Sequence, residues 1–231
     1  MWCIPPEQNA AFVAAMEDVL DTYSRPYDKD YPVVCMDEQP IELHEDSREP
    51  IKLSNDNHTE KVDHEYIRKG TCCAFMFTEP LGGWRRVDVN ERRTKVDWAL
   101  QIKKLVDEDY PDTTRIILVC DNLNTHNISS LYEAFPPSEA KRIADKIEIH
   151  HTPKHGSWLD IAEIELSVFT AQCLCRRMGS IEELRREAMS WYKTRNEKQK
   201  GVDWHFFDER CKSKAEAFIP CNYLVLIVTG Y

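Results

Sequence analysis

Acidic residues in three separate parts of the chain have the types and positions needed for phosphoryl-transfer chemistry. The segment TRIILVCDN, residues 114–122, is a run of apolar and β-branched residues that stops at Asp121 and Asn122. Such a run reads as a strand buried on both faces that delivers a carboxylate to a sheet edge. VVCMDEQP, residues 33–40, repeats the pattern and runs into Asp37 and Glu38, a second carboxylate at a strand end. The third acid comes from a helix beginning near Asp160, which carries Glu163 and Glu165 about 160° apart on the wheel, so only one of them can face a given point. Three carboxylates crowded together repel unless cations sit among them, and a hard cation such as Mg²⁺ prefers oxygen ligands. Two such ions roughly 3.5–4 Å apart clamp the attacking and leaving oxygens of a phosphodiester. Taken singly, a strand-end Asp is a turn or cap residue, and Glu163 stands at capping-box spacing from Asp160. The conjunction favours a site.

The elements that must position these acids follow from periodicity. Phe12, Met16, Val19 and Leu20 form one stripe of an amphipathic helix over residues 6–22, and TYSRPYDKDYP is a linker. After the strand at 33–40, residues 41–70 are polar, broken by Pro50 and Gly70, and read as a loop or irregular hairpin. A buried strand is predicted at 72–77, a turn at Gly82 and Gly83, and a strand with one wet face at 84–89, giving an antiparallel meander. Thr94 and Asp97 look like the capping box of a helix that ends before Pro111, long enough to cross over to a parallel strand at 114–122. A helix over 128–146, interrupted at Pro136 and Pro137, leads to a short strand at 147–152. The last helix runs from Asp160 to about Arg177. Its two apolar faces, Ile161, Ile164, Val168 and Ala171 against Ala162, Leu166, Phe169 and Cys173, predict packing between two layers. The fold class is a mixed α/β sheet, three antiparallel strands and then two parallel ones, flanked by helices.

Composition narrows the function classes. A net charge of -10 and pI near 5.3 argue against a chain that grips nucleic acid over its whole surface, so any DNA contact must be local. The nine cysteines contain no CxxC pair and read as reduced, mostly buried residues of an intracellular protein. His150, His151 and His155 lack the ligand spacing of a zinc motif. No secretory signal is visible, and the longest apolar run, residues 223–228, is far shorter than the roughly 20 residues of a membrane span.

The segments VVCMDE, LVCDNLNTH and HHTPKHGSWLDIAEIELSVF, in this order and spacing, resemble the three blocks of the DDE catalytic domain of bacterial insertion-sequence transposases related to the Tc/mariner superfamily. The likeness runs from about residue 31 to 205 and includes GTCCAFMFTEPLGGWRRVDVNERRT and GVDWHF. It implies an RNase H-like fold, with residues 1–30 an N-terminal linker helix and arm, 31–205 the catalytic domain and 206–231 a tail. It implies DNA transposition by metal-dependent cleavage of phosphodiesters at the element's ends and strand transfer to target DNA. Asp37 and Asp121 match the first two metal ligands, and LDIAE aligns Glu163 with the third; Glu165 is the alternative if the register differs. Two Mg²⁺ or Mn²⁺ ions are the implied cofactors. The implied partners are terminal inverted repeats, target DNA and a second copy in a synaptic homodimer, with no membrane. The implied location is the bacterial cytoplasm, at the nucleoid when on DNA. Asp160 stands where relatives often have Asn. Asn122, Asn124, His126 and His155 are candidates to bind phosphate or orient a ligand carboxylate, the alternative being a polar turn that caps the next helix. Lys154 and Trp158 are placed for DNA contact, with packing the alternative for Trp158.

Relatives carry an N-terminal helix-turn-helix region that reads the element's ends; only the 6–22 helix precedes the catalytic blocks here. The basic residues Arg176, Arg177, Arg185, Arg186, Lys193, Arg195, Lys198 and Lys200 are expected on the last helices, as a solvated face or a local DNA contact. The tail AFIPCNYLVLIVTGY lacks the basic ending of relatives. Two other readings stand beside the transposase: a repurposed copy that binds DNA or a partner without catalysis, and a stand-alone RNase H-type nuclease.

Overall fold

A five-stranded mixed sheet in the order β3-β2-β1-β4-β5 is the backbone of the computed structural model, which describes residues 10–48 and 63–198. The helix α1 (Ala10–Tyr23) leads to β1 (Val33–Asp46), β2 (Tyr66–Glu79) and β3 (Trp84–Asn90). β1 pairs antiparallel with β2, and β2 with β3, as the meander requires. Gly83, at φ 68°, takes the left-handed position of the β2–β3 turn, and its N–H donates to the Glu79 carbonyl. Thr94 and Asp97 form both halves of the expected capping box at the start of α2 (Lys95–Lys104), which continues as a π-turn, Leu105–Asp109. The crossover then delivers β4 (Ile116–Cys120) parallel to β1. α3 (Ile128–Ala134) and α4 (Pro137–Asp145) divide at Pro136 and Pro137 and lead to β5 (Ile147–His151), parallel to β4. A short 3₁₀ turn, Ser157–Leu159, precedes α5 (Ile161–Cys173), and α6 (Ile181–Glu197) follows.

Strand alternation sorts the core into two layers. Cys35, Ala74, Met76, Val87 and Val119 face α1, α5 and α6, meeting Val19, Tyr23, Ala162, Leu166, Phe169, Leu184 and Ala188. Val34, Met36, Phe75, Phe77 and Leu118 face α2, α3 and α4, meeting Trp98, Ile102, Leu131 and Ile143. Of the stripe expected on the first helix, Phe12 and Val19 are buried, and Met16 and Leu20 pack against the core.

Several expectations need correction. The first strand does not stop at 40: β1 continues to Asp46, with Ile41 and Leu43 buried, and β2 begins at Tyr66, so of the two readings of 41–70 the irregular hairpin is the one found on the described residues. Pro40 is admissible because pairing with β4 ends at Met36 and β1 there has only β2 beside it. β3 has no wet face at Arg85 and Arg86; both are buried, Arg85 against Glu165 and Arg86 against Asp88, Asp109 and Gln101. α5 ends at Cys173, leaving Arg176 and Arg177 in the connection to α6. Its Ile164 and Val168 are half-buried and Ala171 is exposed, so one face is covered rather than two. Residues 6–9 of the first helix, 49–62 of the loop, Lys200, GVDWHF and the 206–231 tail lie outside the described residues. Among the described residues no helix is long and apolar enough to cross a membrane.

α6 is held to β3 by polar contacts. The Asn196 side chain accepts from the Arg85 N–H at 3.0 Å and donates to the Arg85 carbonyl at 2.7 Å, serving the strand's outer edge as a neighbouring strand would. Arg195 Nη2 lies 3.2 Å from Glu165, which also pairs with Arg85 Nε at 3.2 Å. Truncating Glu165 would leave Arg85 buried without its carboxylate. Glu165→Ala is expected to lower the unfolding free energy by about 3–5 kcal/mol, the usual cost of breaking a buried ion pair. Urea unfolding followed by tryptophan fluorescence measures it, and a loss below about 1 kcal/mol would mean the pair is solvated.

Candidate active site

The parallel register of β1 and β4 brings the first two acids together. The ladder ends at Met36 opposite Cys120, so Asp37 and Asp121 are each one residue beyond it, on strands about 4.8 Å apart. Both share the face of Cys35 and Val119, the face α5 covers. Asp37 is therefore not at a strand end, as expected, but in the middle of β1, where β4 stops beside it. Its Oδ1 accepts from the Glu38 N–H at 2.7 Å. Burial first, and then the charges of Asp121, Glu163 and Glu38, push the Asp37 carboxyl up to about 7 against the pull of that hydrogen bond. The same influence places Glu163, in the first turn of α5, within electrostatic reach of Asp37.

Asp160 caps α5: its Oδ1 accepts from the Ala162 N–H at 2.9 Å, while its buried Oδ2 has no hydrogen-bond partner among the described residues. Burial, and next the charge of Asp37, raise it well above the carboxylate range. A protonated aspartic acid offers one acceptor and one donor, which is what an asparagine amide offers, so the departure from Asn at this position is chemically small. Glu165 points elsewhere, into its pair with Arg85 and Arg195.

His126 is the residue whose role the sequence least disclosed. It is fully buried and stacked on Trp98, with Nε2 2.8 Å from Glu38 Oε2 and Nδ1 2.5 Å from Asp121 Oδ1. Burial alone would lower the imidazole, but hydrogen bonds to Asp121, Cys120 and Glu38 outweigh it and push it up to about 12. The imidazolium so favoured lies in ion-pair contact with one oxygen of Asp121, although no ring N–H is directed at that oxygen. The next residue, Asn127, caps α3, so the capping function and His126 are separate. Glu38, on the opposite face of β1 from Asp37, also lies 3.6 Å from Arg93. The adjacency of Asp37 and Glu38 in a strand was the available signal, since neighbours in a strand must face opposite layers.

Asn122, Asn124, Lys154 and His155 are all exposed on the loops that follow β4 and β5. His155 holds φ 65°, an uncommon conformation for a non-glycine residue. Trp158 is half-buried and packs against the core. Of the basic residues near the C-terminal helices, Arg176, Arg177 and Arg195 are engaged in ion pairs and Arg185 donates to the Val89 carbonyl, whereas Arg186, Lys193 and Lys198 are exposed.

Among the described residues, no three His, Cys, Asp or Glu side chains converge closely enough as they stand to hold a metal ion. The donor chemistry nevertheless fits a hard divalent cation: oxygen-only groups, mutually repelling, with Asp37 partly protonated for want of a counter-charge. Because the Asp37 pKa is raised by folding, the folded chain binds a proton that the unfolded chain releases, and stability falls as pH rises from the ordinary carboxylate range through about 7. Asp37→Asn should therefore raise the melting temperature of the metal-free protein by several degrees at pH 8 and hardly at all at pH 4. A thermal-denaturation series over that range measures it; equal gains at both ends would refute the assignment.

The sequence profile of the DDE superfamily endonuclease family matches residues 32–185. No curated protein sequence matches the chain. Among solved structures, the Mos1 strand transfer complex superposes with a TM-score of 0.57 at 13% identity, covering 85% of this chain and 58% of that one. The Mos1 mariner paired end complex with Mn gives 0.54 at 15% identity, covering 83% and 58%, and the complex with Mg gives 0.57 at 13%, covering 85% and 59%. The present chain thus spans less than two thirds of the length of these structures, and at such identities the likeness is one of fold: an RNase H-like mixed sheet flanked by helices. With two thirds of its length matched by one family's profile, the chain belongs to the DDE superfamily of endonucleases.

Proposed function

We propose that the chain is the catalytic domain of a DNA transposase, cutting phosphodiesters at the ends of an insertion sequence and joining the freed 3′-hydroxyl to target DNA. The observation that carries the reading is the register that sets Asp37 and Asp121 side by side, with Glu163 near enough to raise Asp37. Family membership supports it, as does the likeness in fold to the Mos1 strand transfer complex and to the Mos1 paired end complexes with Mn and with Mg.

In this reading Asp37, Asp121 and Glu163 hold two Mg²⁺ or Mn²⁺ ions. When bound, such ions neutralise the phosphate and make water, and afterwards a 3′-hydroxyl, a competent nucleophile. The chain's own residues supply position. His126 pairs in charge with one oxygen of Asp121 and so bears on how that carboxylate is held. Asp160, buried and with its carboxyl raised by burial and then by the charge of Asp37, caps the helix that carries Glu163. Asn122, Asn124, Lys154 and His155 line the exposed rim, where amide, ammonium and imidazole N–H groups suit phosphate oxygens. The acidic balance of the whole chain confines DNA to such local contacts. End recognition through terminal inverted repeats, a homodimer that brings two ends together, and action at the bacterial nucleoid belong to the same proposal.

The experiment is a nicking and strand-transfer assay on duplex DNA bearing the element's terminal repeat, with Mg²⁺ or Mn²⁺. Asp121→Asn is expected to lose more than the roughly 10–100-fold that removing an outer-shell partner costs. Undiminished nicking by that variant would refute the assignment of Asp121. Wild-type cleavage of RNA–DNA hybrids without end specificity would identify a general nuclease, and absence of any metal-dependent cleavage a non-catalytic copy.

A further inference from the structure

Tyr23 is the last residue of α1, outside the segment that the family profile matches, yet its hydroxyl reaches the start of the helix that carries Glu163. It donates to the Leu159 carbonyl at 2.8 Å and accepts from the Ile161 N–H at 3.4 Å. The Cys35 thiol, two residues before Asp37 on the same face of β1, donates to it at 3.5 Å. One donor and two lone pairs are what a phenol has, and all three are used. Leu159, Asp160, Ile161 and Tyr23 are all buried, so water does not replace these bonds.

We propose that Tyr23 is a positioning residue for the active site, whose hydroxyl clasps the backbone on both sides of Asp160 and thereby fixes the first turn of α5, from which Glu163 is presented. Its connection to the site rests on the reading of Glu163 as a site carboxylate. The Ile161 N–H is among the first amides of α5, which have no acceptor within the helix. Asp160 satisfies the next one through Ala162, and Tyr23 satisfies this one. The two caps come from parts of the chain far apart in sequence, so the entry angle of α5 is set by α1 as well as by its own sequence. α1 is in turn anchored to the sheet on its other side: Asp18 meets His150 at 2.7 Å, and Arg25, just beyond the helix, meets Glu148 at 3.2 Å. A small rotation of the first turn would move Glu163 relative to Asp37, to which it is electrostatically coupled.

Hydrogen–deuterium exchange of the full chain without metal tests the clasp, comparing Tyr23→Phe with Val19→Ala, a core truncation on the same helix that leaves the hydroxyl in place. At temperatures equally far below each variant's melting point, Tyr23→Phe is expected to exchange the amides of residues 161–163 at least about tenfold faster than Val19→Ala. Mn²⁺ titration and the nicking assay are expected to show weaker metal affinity and a lower rate at saturating DNA in Tyr23→Phe alone. Equal exchange in the two variants overturns the clasp; faster exchange with unchanged Mn²⁺ affinity and nicking overturns its bearing on the site. The exchange comparison needs no catalysis, so a wild type that nicks no DNA counts against the transposase reading and leaves the clasp to be judged on exchange.

Discussion

Mutual repulsion among carboxylates that the backbone forces together is the constraint on which the rest of the structure turns. Once β1 and β4 pair in parallel with Met36 opposite Cys120, Asp37 and Asp121 have no freedom to separate. Neither strand can slip by one residue without moving Cys35 and Val119 out of one core layer and Met36 and Cys120 out of the other. The hydrophobic pattern that makes these strands fold is thus the same pattern that holds the acids in conflict. Burial first, and the neighbouring acids after it, raise both Asp37 and Asp160.

Several other acids of low exposure meet a cation locally, whereas buried Glu79 is hydrogen-bonded by the Tyr110 hydroxyl and enters no ion pair among the described residues. Glu165 has Arg85 and Arg195; Asp109 has Arg86; Glu38 has His126 and Arg93. Asp37 and Glu163 have no cation among the ion pairs of the described residues. Asp121 shares one, since His126 is divided between it and Glu38. The imidazolium therefore does two things at once: it neutralises an acid on the far face of β1 and restrains an acid on the near face, so the two layers are tied through a single ring. Replacing it by an apolar side chain would leave two carboxylates without their common partner, which explains why a cation sits so deep beside Trp98.

Much of this was legible in the sequence, and what was not has identifiable causes. TRIILVCDN declared itself because a short, fully buried strand needs no partner information to be read. The capping box at Thr94 and the break at Pro136 and Pro137 are likewise local. The length of β1 was hidden although Ile41 and Leu43 keep the strand period, because Glu42, His44 and the acids that follow give the stretch a polar composition. Arg85 and Arg86 read as a wet face because an arginine's burial depends on carboxylates that arrive from α5 and from the π-turn after α2, far away in the chain. His126 was seen as a candidate, but its bond to Glu38 spans 88 positions and no local pattern encodes it.

The choice between Glu163 and Glu165 shows how far local geometry goes and where tertiary structure must finish the argument. Helical spacing alone establishes that the two cannot serve one point, and it stops there. β3 and α6 bring Arg85 and Arg195 to the Glu165 side of the helix and so give that carboxylate a structural charge to balance. None of the ion pairs among the described residues includes Glu163, whose charge acts on Asp37 and Asp160. A helix two residues out of register would put Ile161 in place of Glu163 with Glu163 against the guanidinium groups, or Glu165 in place of Glu163 with Ser167 against them, losing the site acid in one case and the ion pairs in the other. The ion pairs on β3 and α6 therefore do more than hold an edge: they occupy Glu165, which supports the proposal that Glu163 is the acid the helix offers to Asp37.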